Sequence, residues 1–134
     1  MKKIIIFLTI LWGFSSCFGQ VSIWTNKDSC TVAWEKVNTN INGEPEDSVY
    51  YDVFIAKMVD FTILRNYITA DTLQTFNIKN YPEGFYLFGV YAIDKVGNRS
   101  ETLWSDDCVN NAAGCWYMGF DIVPPVMPKR IKSK

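Results

Sequence analysis

The stretch YPEGFYLFGVYAIDKVGNRS, residues 81–100, decides the fold class. Turn residues open it at Pro82–Gly84 and close it at Asp94–Asn98, and apolar residues fill the interval. On a strand, alternate residues share a face, so one face is expected to carry Tyr86, Phe88, Val90 and Ala92. The other face carries Leu87, Gly89, Tyr91 and Ile93 and is almost equally apolar. The first set is predicted to be core, and the second raises the question of what contacts the outer face.

In the rest of the chain, turn residues again separate short apolar segments, and no segment has a convincing helical pattern. Further strands are predicted at 21–24, 30–37, 49–58, 61–68, 72–78 and 116–123. Short strands at this spacing, rich in β-branched and aromatic residues, predict an all-β fold. We expect a two-sheet antiparallel sandwich of about seven strands.

Three segments of the chain carry a resemblance to a known family. They are Thr31–Trp34, Tyr51–Val53, and Tyr86–Asp94 with the Gly97–Ser100 turn that follows it. Together they resemble a fibronectin type III domain over residues 21–123, with an immunoglobulin-like sandwich as the implied fold.

The resemblance also implies roles for two aromatic residues. Trp34 would be the core tryptophan of the second strand, and the Tyr86 hydroxyl would tie the corner before the sixth. A buried tyrosine needs a hydrogen-bond partner, and a tight Pro-Glu-Gly corner offers free backbone groups. With Tyr51 and Phe88, which alternation places on inner faces, these two residues form the predicted structural core.

The segment 95–114 departs from the family pattern, because the last strand should begin sooner. It reads as an enlarged connection and holds Trp104, Asp106 and Asp107. Long connections without their own secondary structure are often functional. The alternative is an insertion that has no binding function. We include these three residues among the candidate binding residues.

The first nineteen residues have the order of a secretory signal: Lys2-Lys3, an apolar run from Ile4 to Phe14, then small residues. Cleavage before Gln20 would release a soluble protein. Residues 14–17 also resemble a bacterial lipoprotein box, in which residues 1–16 are removed and Cys17 is lipidated. Both alternatives predict a secreted or extracytoplasmic protein, the second as a lipoprotein of the outer membrane or cell surface.

Charge is distributed unevenly between the predicted domain, 20–125, and the C-terminal tail, 126–134. The domain has 14 acidic and 7 basic residues, a net charge of −7, and the tail has four basic residues. An acidic domain argues against nucleic-acid binding. The tail is interpreted as a solvated terminus, with contact to a membrane surface or an acidic partner as the alternative.

Three cysteines follow Cys17. Cys108 and Cys115 flank six residues and are predicted to form a disulfide, whereas Cys30 shares an inward face with Val32 and should stay free. The alternative is a pair of reduced thiols.

We expect no enzymatic activity, no metal and no cofactor. The chain has no histidine, so Ser-His-Asp and Cys-His sites are impossible and zinc lacks its commonest nitrogen ligand. Asp106 and Asp107 could together hold calcium, but adjacent carboxylates are more often solvated loop charge.

The predicted binding surface is the outer face of the larger sheet together with the 95–114 connection. Tyr91 is expected beside Tyr50 and Phe54, and the last strand adds either Tyr117 or Trp116. Such a face suits docking of a protein or a cell-surface glycan, unless the connection itself covers it.

The preferred function is therefore a non-catalytic binding or adhesion module, with membrane contact only through a lipid on Cys17. A structural spacer or assembly domain for cell-surface proteins is the alternative, since residues 122–129 resemble an interdomain linker. An accessory carbohydrate-binding domain is a weaker alternative that depends on the aromatic residues alone.

Overall fold

The computed structural model describes residues 21–134, and this part of the chain is all-β. The predicted signal peptide and the lipidation candidate Cys17 lie outside the described residues. The strands of the described part are β1 (Val21–Thr25), β2 (Ser29–Ala33), β3 (Tyr50–Lys57), β4 (Ile63–Thr69), β5 (Leu73–Asn77), β6 (Gly84–Ile93), β7 (Leu103–Trp104) and β8 (Trp116–Phe120). The segment that suggested the fold class is thus the longest of these strands.

The strands form two sheets of unequal size. The larger sheet has the order β1-β8-β6-β3-β4, with β7 paired to β6, and the smaller consists of β2 and β5. β3 and β6 are antiparallel neighbours, as predicted. The described part has eight strands, close to the seven expected, and one expectation needs correction: β1 pairs with β8 in parallel, so the strand pairing is not purely antiparallel.

The hydrophobic core lies between the two sheets. The smaller sheet contributes Val32 and Phe76, and the larger sheet contributes inward residues from β3, β6 and β8. Tyr51, Tyr86 and Phe88 are buried, as expected. Trp34 is only half-buried against this core because β2 ends at Ala33, earlier than the predicted 37.

Two tyrosine hydroxyls tie loops to the sheets. The Tyr86 hydroxyl donates to the Pro82 carbonyl, which is the corner contact expected from the sequence. The Tyr51 hydroxyl accepts a hydrogen bond from the Val37 backbone N–H at 2.8 Å. Both rings are therefore buried with their polar ends satisfied.

The 95–114 connection differs from the prediction because part of it belongs to the sheet. Leu103 and Trp104 pair with Val90 and Gly89, after which the chain leaves the sheet and returns as β8 beside the same strand. Ser105 bridges the gap, since its N–H donates to the Phe88 carbonyl at 2.7 Å and its hydroxyl accepts from the Phe88 N–H at 3.1 Å. The last strand is therefore interrupted by an excursion.

A disulfide between Cys108 and Cys115 closes this excursion, which confirms the predicted pairing. Cys30 is a free cysteine among the described residues, and burial raises the pKa of its thiol to about 11. A raised pKa keeps a thiol protonated at neutral pH, so Cys30 behaves as a small apolar side chain.

Candidate functional site: an aromatic sheet face and a cleft

The outer face of the larger sheet carries two separate groups of aromatic rings. The first, which we call the aromatic cluster, consists of Phe54, Phe61, Tyr91 and Trp104. The Trp104 ring contacts Phe54 at 5.2 Å and Phe61 at 5.4 Å between centroids, and Tyr91 lies 6.3 Å from Phe54. Phe54 is only 4% exposed. The connection that was expected at the rim of this face therefore covers Phe54 through Trp104.

Gly89 makes the aromatic cluster possible. It lies on β6 between Phe54 of β3 and Trp104 of β7. A Cβ atom at this position would stand 2.4 Å from Phe54 Cε2 and 3.2 Å from Thr102 Cγ2. The missing side chain thus lets the Phe54 ring lie across β6 and reach the indole.

A buried carboxylate orders the opposite side of Tyr91. The Tyr91 hydroxyl donates to Asp52 Oδ2 at 2.7 Å, and the Asn66 amide donates to Asp52 Oδ1 at 3.1 Å. The Arg99 guanidinium lies over the Tyr91 ring, with its Cζ atom 5.3 Å from the ring centroid. The hydrogen bond to the carboxylate raises the pKa of Tyr91, and desolvation adds to the rise. Tyr91 is therefore held in place rather than free to adapt to a ligand.

The second group, which we call the aromatic row, consists of Trp24, Phe85 and Tyr117. Phe85 contacts Trp24 at 5.4 Å and Tyr117 at 5.3 Å between ring centroids. Trp24 is 58% exposed and Phe85 is 45% exposed. Adjacent exposed rings of this kind are typical of binding surfaces.

A second glycine shapes the aromatic row. A Cβ atom on Gly119 would stand 2.5 to 2.7 Å from three atoms of the six-membered ring of Trp24. The indole therefore lies against the backbone of β8, and its opposite side faces solvent. This geometry presents a flat ring surface on the sheet.

The two carboxylates of the connection, Asp106 and Asp107, directly precede Cys108 of the disulfide. Asp107 accepts hydrogen bonds from the Asn110 N–H at 2.9 Å, the Asn110 amide at 2.9 Å and the Val109 N–H at 2.9 Å. The Asn110 backbone N–H, more than its side chain, holds the pKa of Asp107 below its usual range. Asp107 thus closes a turn within the disulfide loop, and Asp106 lies half-buried beside it.

The two consecutive aromatics of β8 fall on opposite faces of the sheet. Tyr117 joins the aromatic row, whereas Trp116 packs on Phe88 at 5.5 Å on the inner side. Trp116 lines a cleft of about 560 Å³ between the end of β2 and the disulfide loop. We call this cavity the cleft; the other aromatic rings on this side that line it are those of Trp34, Tyr51 and Phe88.

The structure thus brings together only part of the predicted site. Phe54, Tyr91 and Trp104 meet in the aromatic cluster, and Tyr50 is exposed on the same sheet beside Ile93. The predicted set did not include Trp24, Phe85, Phe61 or the cleft. Phe85 was recognisable, because it is out of phase with the inward residues of its own strand.

Metal-binding groups and membrane-spanning helices are both absent from the part of the chain that the structure describes. Residues 21–134 contain no group of three or more Cys, Asp or Glu side chains placed to hold a metal ion. The same residues form no helix that is long and apolar enough to cross a membrane.

No model of a known protein family matches this chain, and no curated protein matches it either.

Proposed function

We propose that the chain is an extracytoplasmic, non-catalytic binding module with a fibronectin type III-like sandwich, and that it binds a cell-surface protein or glycan through the aromatic row. The fold part of the proposal is supported by the core between two sheets, the adjacent β3 and β6, and the Tyr86–Pro82 corner contact. Export is supported by the N-terminal sequence and by the disulfide, since disulfides persist in oxidising compartments.

The observation that carries the binding proposal is the exposure of the aromatic row. Leaving large apolar side chains in water forgoes roughly 1.5–3 kcal/mol each relative to full burial. The aromatic cluster on the same sheet shows that the chain can cover such rings with its own residues. The aromatic row has no such cover, although its rings are held in contact with one another. A ligand that stacks on Trp24 and Phe85 would remove this exposed area from water.

The experiment measures binding of the purified protein to an isolated cell envelope. The double variant Trp24→Ala/Phe85→Ala should lose binding by at least about tenfold, because central aromatic residues dominate recognition surfaces. The matched control is Leu73→Ala, another exposed apolar residue, which lies on the smaller sheet. Periodate treatment of the envelope should abolish binding to a glycan, and protease treatment should abolish binding to a protein. Equal binding by both variants would exclude the aromatic row as the site.

A second candidate function, an assembly module for cell-surface proteins, is favoured by one specific observation. Residues 121–134 continue from β8 as an exposed segment without a strand or helix. Such a segment is available to a partner.

A further inference from the structure

The cleft combines an aromatic lining with acidic charge. Two tryptophans whose rings lie on the inner side of the sheet, Trp34 and Trp116, line it with Tyr51 and Phe88. Its charged lining residues are Glu35 and Glu101, and neither makes a salt bridge with any residue that the structure describes. The cleft therefore suits a ligand that is apolar along its length and positively charged.

The tail of the same chain has this chemistry. Pro124, Pro125 and Pro128 are followed by Lys129 and Arg130, and every residue from 121 to 134 is exposed. Proline-rich segments favour the extended polyproline II conformation, which lacks internal hydrogen bonds and costs little entropy to bind. Aromatic-lined grooves commonly recognise such segments, and acidic side chains beside the groove pair with basic residues of the ligand.

We propose that the cleft binds the proline-rich basic tail, residues 124–130, of a second copy of this chain. The proposal concerns a different surface from the aromatic row and does not depend on it. It gives the assembly function a mechanism: the tail of one molecule occupies the cleft of the next. A contact between two different surfaces of identical molecules produces chains, or a closed dimer when two molecules exchange tails.

The geometry favours a second copy over the molecule's own tail. Strand β8 begins at Trp116, which lines the cleft, and ends at Phe120, which pairs with Gly84 at the far end of β6. Phe88 is the cleft-lining residue of β6 nearest to Gly84, and the four residue steps between them span about 13 Å along the strand. The own tail thus leaves the sheet at the end opposite to the cleft.

A hydrogen bond fixes this exit. The Ile122 N–H donates to Glu83 Oε1 at 2.9 Å. Pro125 follows three residues later, so it lies no more than about 11 Å from Ile122 even when the chain is fully extended. While this contact holds, the first two prolines fall short of their own cleft, and only the cleft of another molecule is accessible to them.

One buried group in the cleft lining lacks a partner that the tail would supply. Among the described residues, the Trp34 indole N–H is buried and has no hydrogen-bond acceptor. Proline has no N–H, and its carbonyl is a free acceptor in an extended segment. In the assembled state, the Trp34 side chain turns so that its N–H donates to a tail carbonyl, and Lys129 and Arg130 pair with Glu35 and Glu101.

The test uses charge reversal on the full chain, with sedimentation velocity as the readout. The wild-type protein should associate increasingly with concentration, and 1 M salt should weaken the association because it screens exposed charges. Lys129→Glu/Arg130→Glu should weaken the association by at least about tenfold, and so should Glu35→Lys/Glu101→Lys. The chain that carries all four changes should associate again, because its charges are complementary once more.

Mixing the two double variants tests whether the contact is between molecules. The cleft of the tail variant and the tail of the cleft variant are both unchanged, so the mixture should form a 1:1 complex that neither variant forms alone. The control Asp28→Lys/Asp47→Lys changes two exposed carboxylates outside the cleft and alters net charge equally; its association should match wild type.

Three results would overturn the proposal: a monomeric wild type at all concentrations, no recovery in the four-fold variant, or the same loss in the Asp28/Asp47 control. If the cleft variant fails to fold, the tail variant alone still tests the proposal. Its two changed residues, Lys129 and Arg130, are exposed and lie outside the strands, so the variant should fold. The Trp24→Ala/Phe85→Ala variant should assemble like wild type, so failure of this proposal and failure of the aromatic-row proposal are distinguishable.

Discussion

The two groups of aromatic rings lie on one face of the same sheet, yet the chain treats them differently. The centre of the aromatic cluster is covered, since Trp104 from the interrupted last strand lies against Phe54 and leaves it 4% exposed, whereas Phe61 on the other side of Trp104 is 52% exposed. The aromatic row has rings at similar separations, but Trp24 is 58% exposed. Ring-to-ring contact is thus common to both groups, and only the presence of a covering segment separates them.

Aromatic residues that alternate with the inward-facing residues of a strand can therefore have two roles. In the cluster, the rings pack a second small core outside the sheet. In the row, the rings keep apolar area accessible. The two roles predict opposite responses to mutation: loss of stability in the cluster and loss of binding in the row.

The largest expected effect is at Phe54. Phe54→Ala removes a buried ring and leaves a cavity under Trp104, so the free energy of unfolding should fall by about 3–5 kcal/mol. Phe85→Ala is the matched change in the row and should cost less than about 1 kcal/mol, because the ring is already largely in water. Urea unfolding of both variants measures the difference. Equal losses of unfolding free energy would show that Phe54 and Phe85 contribute equally to stability, and the distinction between a covered cluster and an exposed row would fail.

The disulfide should stabilise the fold without changing binding through the aromatic row. Its loop closes eight residues, from 108 to 115, and loop-closure entropy predicts a loss of about 2.5 kcal/mol on reduction. Urea unfolding with and without reductant measures this loss, and Cys108→Ala/Cys115→Ala should be insensitive to reductant. Binding through the aromatic row should survive reduction wherever the protein remains folded. A loss of binding by folded, reduced protein would couple the two groups.

Part of this arrangement could be predicted from alternation and spacing. The inward phase of Tyr86 and Phe88, the neighbouring β3 and β6, and the Cys108–Cys115 pairing are confirmed. These features depend on local periodicity or on short separations along the chain. They are the features that a single sequence encodes most directly.

The parts that could not be predicted depend on contacts between distant segments. β1 is short, and nothing in its own pattern indicates that it pairs in parallel with β8. β7 has two residues, too few for any periodic signal, yet it brings Trp104 onto Phe54. The cleft likewise arises because β2 ends early and the disulfide loop stands opposite to it.

The two glycines under the rings give a sharper comparison at nearly equal geometry. An added Cβ would approach Phe54 at 2.4 Å from position 89 and Trp24 at 2.5 Å from position 119. Phe54 is enclosed, so Gly89→Ala should destabilise the fold by about 1–3 kcal/mol, as overpacking usually does. Trp24 is free to swing into solvent, so Gly119→Ala should change stability by less than about 0.5 kcal/mol.

Gly119→Ala should nevertheless weaken ligand binding, because the displaced indole no longer lies against the β8 backbone in edge contact with Phe85. Thermal unfolding and envelope binding, measured on both glycine variants, separate the two effects. Strong destabilisation by Gly119→Ala would mean that Trp24 is as tightly held as Phe54, and the distinction between row and cluster would then disappear.

The smallest expected effect within the cluster is at Tyr91, the member that contacts a carboxylate. Tyr91→Phe keeps the ring and removes the 2.7 Å hydrogen bond to Asp52, so we expect a loss of about 1 kcal/mol near pH 7. The pKa of Tyr91 is raised in the folded state, chiefly by that hydrogen bond. A raised folded-state pKa means that this stabilisation is fully present below the unfolded value, near pH 10, and is lost as the pH rises through the folded value. The wild type should therefore lose more stability above pH 10 than Tyr91→Phe does, and the two unfolding curves should converge there.

Tyr117→Phe in the row is the control, and its curve of stability against pH should remain parallel to that of the wild type over the same range. If the Tyr91→Phe curve also stays parallel to wild type, the Asp52 hydrogen bond does not hold this ring, and Tyr91 would be as available to a ligand as the rings of the row.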